Sequence, residues 1–191
     1  AADWDRMGET PRALYQRMAR AGLMGVTVSQ KYGGAGADFL SYTLAIEEVS
    51  AADGGISNIM ADTNSPVAVA IEENGTDQQK QHYLTKLTSG EWLGSIHLTE
   101  PHTGSDAAAI KTQAVRDGGD FILTGEKAFI TGGASSNVAM IVTVTDPDAG
   151  KKGITTFITP TDNPGYVVTR KENKLGHRTN DTCQIRFEDM R

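Results

Sequence analysis

The residues best suited to chemistry lie in one run, Ile96-His97-Leu98-Thr99-Glu100-Pro101-His102-Thr103-Gly104-Ser105-Asp106. It gathers three hydroxyls, two imidazoles and two carboxylates within eleven residues. Glu100 and Asp106 could serve as an acid–base pair. Asp106 also suits the N-cap of a short turn over 107–110, and that is the use we expect of it. Ser105 stands in Gly104-Ser105-Asp106 and not in a G-x-S-x-G elbow, so a hydrolytic nucleophile is not indicated. His82, His97, His102 and His177 do not share ligand spacing with cysteine or carboxylates, so no metal site is expected. What remains is a loop rich in Thr, Ser and Gly, whose hydroxyl and backbone N–H donors suit the edge of a polar or anionic ligand.

A strand has to deliver that loop. Trp92-Leu93-Gly94-Ser95 leads into it as a buried strand does, and Pro101 and Gly104 end regular structure. Such a strand gives a ligand site a rigid support. Upstream the apolar period is helical. Thr10-Pro11 reads as N-cap and first helical residue of a segment carrying Leu14, Tyr15, Met18 and Ala21, with Gly22 as its end. Residues 26–28 read as short and extended. The glycines of Tyr32-Gly33-Gly34-Ala35-Gly36-Ala37-Asp38 lack the G-x-G-x-x-G spacing and βαβ setting of a dinucleotide fingerprint, so the loop reads as a structural turn. Asp38 then caps a helix with Phe39, Leu40, Leu44, Ile46 and Val49 on a broad apolar face. Residues 56–73 are apolar and broken at Pro66. Asn74-Gly75 closes that helix, a capping box at Thr76-Asp77-Gln78-Gln79 opens the next, and Ser89-Gly90 ends it.

Downstream the runs are short and alternate with period two, as strands do. We expect strands at 112–116, 121–123, 129–131, 138–145, 154–159, 166–169 and 182–187, with a hairpin turn at Asp117-Gly118-Gly119-Asp120. The layout is α+β: an N-terminal α-helical bundle over 1–90, then an antiparallel β-barrel or sandwich domain over 91–191. The junction coincides with the donor-rich run, and ligand sites favour such junctions.

Composition narrows the function. The 191 residues carry 18 Lys and Arg against 24 acidic residues, a net charge of −6, which argues against nucleic acid as a partner. No apolar run approaches the roughly 18 residues of a membrane span. Cys183 is the single cysteine. An internal disulfide is therefore excluded and a reducing compartment favoured. Its polar neighbours Thr182 and Gln184 mark Cys183 as a small inward-facing strand residue. The acidic start, Ala1-Ala2-Asp3-Trp4-Asp5, is unlike a signal peptide. We expect bacterial cytoplasm, with the mitochondrial matrix as the alternative.

The run Leu98-Thr99-Glu100-Pro101-His102-Thr103-Gly104-Ser105-Asp106, followed by Gly125-Glu126-Lys127-Ala128-Phe129-Ile130-Thr131-Gly132-Gly133, resembles the two flavin signatures of the acyl-CoA dehydrogenase family. The stretches G-V-T-V-S-Q-K-Y-G-G-A-G at 25–36 and K-L-G-H-R-T-N-D-T at 174–182, with Phe187-Glu188-Asp189, extend the likeness over nearly the whole chain. The resemblance implies FAD-dependent α,β-dehydrogenation of an acyl-CoA thioester to the 2-enoyl-CoA. It places Ile96, His97, Leu98, Thr99, Gly104 and Ser105 along the flavin, with Thr99 donating to its pyrimidine edge. Phe129, Ile130 and Thr131 would lie beside the ring, and Ser105 would meet the CoA part of the substrate. His102-Thr103 stands where relatives often have Gly-Ala.

The family's catalytic glutamate belongs to a C-terminal helical domain that would follow Arg191. Hence no catalytic residue is assigned within these 191 residues, neither Glu100 nor Glu126 takes the role, and the isolated chain is expected to be inactive. Further implications are an electron-transfer flavoprotein as acceptor and a homotetramer. The alternatives are an acyl-CoA oxidase or flavin monooxygenase on the same scaffold, or a non-catalytic acyl-CoA-binding fragment.

Overall fold

The computed structural model describes residues 2–191. Helices come first: α1 (Ala2–Met7), α2 (Arg12–Arg20), α3 (Phe39–Ala52), α4 (Gly54–Asp62), α5 (Val69–Asn74), α6 (Asp77–Gln79) and α7 (Thr85–Thr88). Strands follow: β1 (Gly94–His97), β2 (Gln113–Asp117), β3 (Asp120–Thr131), β4 (Val138–Val144), β5 (Ile154–Pro160), β6 (Tyr166–Lys171) and β7 (Thr182–Met190).

Local chemistry sets most boundaries. Asp38 accepts a hydrogen bond from Ser41 N at 2.8 Å and starts α3, and Asp53 accepts from Gly55 N and Ile56 N to start α4. The Thr76–Gln79 capping box forms in both directions. Gly22 ends α2 at a φ of 78°, while Leu23 N bonds back to Met18 O. The glycine-rich loop is a structural turn. A Cβ on Gly34 would stand 2.0 Å from the carbonyl oxygen of Val28, so only glycine fits there.

Several expectations need correction. The Thr10 hydroxyl does not cap α2. It reaches Asp181 at 3.5 Å, and the helix begins at Arg12 with no side-chain cap. Residues 26–28, read as short and extended, lie outside the named strands, where Val26 N donates to Asn64 Oδ1 at 2.8 Å and its carbonyl accepts from Ala37 N. The apolar face of α3 divides. Ile46 and Val49 pack inward, whereas Phe39, Leu40 and Leu44 are exposed. The two runs around Phe121 and Phe129 belong to one strand, β3, which bends at irregularities instead of ending.

The strands form one curled, mainly antiparallel sheet in the order β1-β4-β2-β3-β7-β6, with β5 on β4. The parallel pairings both involve β4: β1 runs beside it from Gly94↔Val138 to His97↔Ile141, and β2 meets it at Gln113↔Val144. Strand β4 is buried on both faces, as the unbroken Val-Ala-Met-Ile-Val run suits. Val138 and Met140 pack with Val67, Ile71, Leu84 and Leu87 of the helical part. Ala139 and Ile141 face the other way, with Ile130, Cys183, Ile185 and Phe187 inside the sheet. Burial pushes the Cys183 thiol up to about 12, so this cysteine is an inert core residue.

Candidate active site at the exit of β1

Strand β1 sorts its residues by face. Ile96 packs with the helical core, whereas Ser95 and His97 are wholly buried. The His97 Nε2 lies 3.0 Å from Ser95 Oγ and 3.5 Å from the Tyr166 hydroxyl, and its Nδ1 has no partner. Burial, reinforced by the charge of Lys127, pushes the imidazole down to about 3, so it is neutral across the physiological range.

Beyond His97 the chain is tied to β3 at every step. Lys127 Nζ donates to Leu98 O at 3.0 Å, Ala128 N donates to Thr99 O at 2.8 Å, and Lys127 Nζ reaches Glu100 Oε1 at 2.8 Å. Glu100 also accepts from the backbone N–H groups of Lys111 and Thr112, at 2.7 and 2.9 Å. Burial raises its proton affinity, but the bonds from Lys127, Thr112 and Lys111 outweigh that and hold the carboxyl below its usual range. Three of the roughly four acceptor positions of this carboxylate are thus taken, and its lowered proton affinity makes it a weak base. Glu100 and Thr103 close the following turn with paired backbone bonds. Asp106 is not the side-chain cap expected of it; its backbone carbonyl instead accepts from Thr103 Oγ1 at 2.7 Å and from Ala109 N.

The second motif is shaped by an irregularity in β3. Pairing with β7 shifts between Lys127 and Ile130, and Phe129 sits inside the shift at a φ of 58°. A bulky residue there is a backbone outlier, and bulges beside sites re-aim side chains. The result is an aromatic residue 64% exposed between two buried neighbours, Ala128 and Ile130.

The nine residues singled out from the sequence therefore divide. The side chains of His97 and Ile130 are buried and that of Ile96 is packed inward, so these three support the site from behind. Leu98, Thr99 and Thr131 are half-exposed, while Gly104, Ser105 and Phe129 are exposed. Leu98 and Ser105, with Asp106, Val142, Ile154 and Lys151, line a depression of about 420 Å³. Sequence reasoning missed two residues here. Lys127 carried a signal only through its place inside the second motif. Lys151 carried none, because it lies in a polar turn whose approach to Ser105 is long-range.

Two family models match the chain: the acyl-CoA dehydrogenase N-terminal domain over residues 1–91 and the middle domain over 95–190. The chain belongs to the acyl-CoA dehydrogenase family. A short-chain-specific acyl-CoA dehydrogenase of Clostridium acetobutylicum is 40% identical over 190 residues, covering 100% of this chain and 50% of the relative. Butyryl-CoA dehydrogenase from Megasphaera elsdenii superposes with a TM-score of 0.92 at 35% identity, over 98% of this chain and 50% of that one. A glutaryl-CoA dehydrogenase from Mycobacterium smegmatis, solved in complex with FADH2, gives a TM-score of 0.90 at 33% identity, over 98% and 47%. The chain thus spans about half the length of the relatives it matches. Among the described residues no helix is long and apolar enough to cross a membrane.

Proposed function

We propose that these residues form the flavin-facing wall and part of the acyl-CoA site of an FAD-dependent acyl-CoA dehydrogenase. The observation that carries this reading is the Ala128 N to Thr99 O bond, which brings the two motifs side by side. The surfaces that result fit a flavin: Thr99 and Thr131 are half-exposed, and Phe129 is an exposed aromatic residue. When bound, FAD supplies the acceptor for the hydride that leaves the β-carbon of the acyl group. Thr99 would donate to the pyrimidine edge, where a fixed dipole stabilises charge that grows on reduction. Phe129 would stack beside the ring, and Thr131 would hold the same ring from the end of β3.

Ser105 and Lys151 share the depression beside Leu98 and offer a hydroxyl and a cation to the polar, phosphate-bearing part of a CoA thioester. Glu100 is tied to Lys127, Lys111 and Thr112 and held as a weakly basic, charged carboxylate, so removal of the α-proton is assigned to a carboxylate other than this one. An electron-transfer flavoprotein as acceptor and a homotetrameric assembly complete the proposal.

The test is anaerobic addition of a saturated acyl-CoA, starting with butyryl-CoA, to the purified flavoprotein. Bleaching of the flavin that persists until an electron acceptor is supplied supports the dehydrogenase. Immediate recovery of colour in air favours the oxidase reading. A protein that holds flavin but never bleaches with any acyl-CoA sinks both.

A further inference from the structure

The pair formed by Lys127 and Glu100 is the least expected feature of the molecule. The lysine is fully buried and the glutamate is 4% exposed, and their charged atoms lie 2.8 Å apart. Burying two charges costs solvation that their attraction seldom more than repays, and an apolar pair of equal volume is often as stable or more so. Net stabilisation is therefore a poor account of the pair, and the geometry it imposes is a better one.

That geometry is specific. The ammonium bonds both to the carbonyl of Leu98 and to the carboxylate of Glu100, the residues on either side of Thr99. The carboxylate in turn gathers the backbone N–H groups of Lys111 and Thr112, which lead into β2. Thr112 Oγ1 closes the circuit on Glu126 O at 3.2 Å. Three segments, namely the exit of β1, the approach to β2 and the middle of β3, are thereby fastened at one buried point. Thr99 hangs from it on one side, and Phe129 stands two residues along on the other.

We propose that Glu100 and Lys127 are positioning residues for the flavin, a buried clamp that fixes the Thr99 hydroxyl against Phe129 and so sets how strongly the site favours reduced over oxidised flavin. The clamp rests on the flavin reading above. It touches neither substrate nor reacting atoms, and its influence passes through Thr99.

Three forms of the holoprotein test it: wild type, Lys127→Met, and the double variant Glu100→Gln/Lys127→Met. Each is measured for thermal unfolding, FAD affinity and flavin midpoint potential. Lys127→Met strands a buried carboxylate and should unfold at lower temperature. The double variant should regain most of that stability because no lone charge remains. In both, FAD should bind roughly tenfold more weakly, and the two-electron potential should fall by about 30 mV, equivalent to a tenfold loss of preference for reduced flavin. A double variant that regains wild-type potential and FAD affinity together with its stability overturns the proposal and leaves the pair structural. One that fails to fold overturns it too, because the pair would then be part of the fold itself. A wild-type protein that takes up no FAD is a separate failure, that of the flavin reading, and shows before any variant is compared.

Discussion

Lys151 and His97 show how differently two cationic residue types behave around one site. Lys151 lines the depression beside Ser105 and is exposed, so its attraction for an anionic substrate is screened and felt in the ground and transition states alike. Lys151→Ala should raise KM for acyl-CoA about three- to tenfold and leave kcat unchanged, which is the signature of lost uniform binding. Steady-state kinetics decide it, and a fall in kcat at constant KM would count against the assignment. His97 never meets the solvent. Its imidazole is held down to about 3, whereas in an unfolded chain it titrates near 6.5. As pH falls below about 6.5 the unfolded state takes up a proton that the native state refuses. Stability should therefore be lost between about pH 6.5 and 3, at up to roughly 1.4 kcal/mol per unit from this residue alone. Denaturant unfolding across that window should show a shallower slope for His97→Asn than for wild type. Equal slopes would mean that other groups govern acid unfolding.

At the scale of the element, the bulge in β3 is where fold and site compete. Phe129 occupies the left-handed region at 58°, a conformation that costs a non-glycine residue of order 1 kcal/mol or more. Its ring returns little through packing because most of it is exposed. Phe129→Gly should therefore leave stability unchanged or raise it by up to about 1 kcal/mol, while FAD binding weakens several-fold. Urea unfolding and FAD titration on the same samples test both halves, and a destabilised variant with intact FAD binding would refute the account. The same element marks how far the sequence could be read. Caps and turns that depend on neighbouring residues, such as Asp38, the Thr76 box and the Gly118-Gly119 hairpin, were readable because their chemistry is local. The two motifs, singled out through their resemblance, lie side by side through the bond from Ala128 N to Thr99 O. The single bent course of β3 was not readable, because a bulge is fixed by its partner strand. Nor was the parallel pairing of β1 with β4, since a strand of four residues carries no sign of its neighbour. Thr10 misled because Asp181, far away in the sequence, competes for its hydroxyl.

Across the whole molecule, helices and sheet share part of their interior. Val28, Tyr32, Val67, Ile71, Leu84 and Leu87 share one apolar cluster with Val138 and Met140 of β4. Opening the helical part thus exposes one face of the central strand. Native-state hydrogen exchange should give α5 and β4 the same opening free energy within about 1 kcal/mol, as parts of one cooperative unit. A value for α5 lower by more than about 2 kcal/mol would show that the two parts melt independently. Strand β4 has a further consequence. Along its length Met140 belongs to the helices, Ile141 to the inside of the sheet and Val142 to the depression by Ser105. Sliding this strand by one residue would trade all three surroundings at once. The molecule therefore cannot retune its substrate by shifting the frame. Like the fixed jaw of a vice, β4 stays put while the depression assigned to the CoA part of the substrate is shaped by the bulk of the single side chain at position 142, so variants that enlarge or trim Val142 should change KM for acyl-CoA and leave acyl-chain preference unchanged.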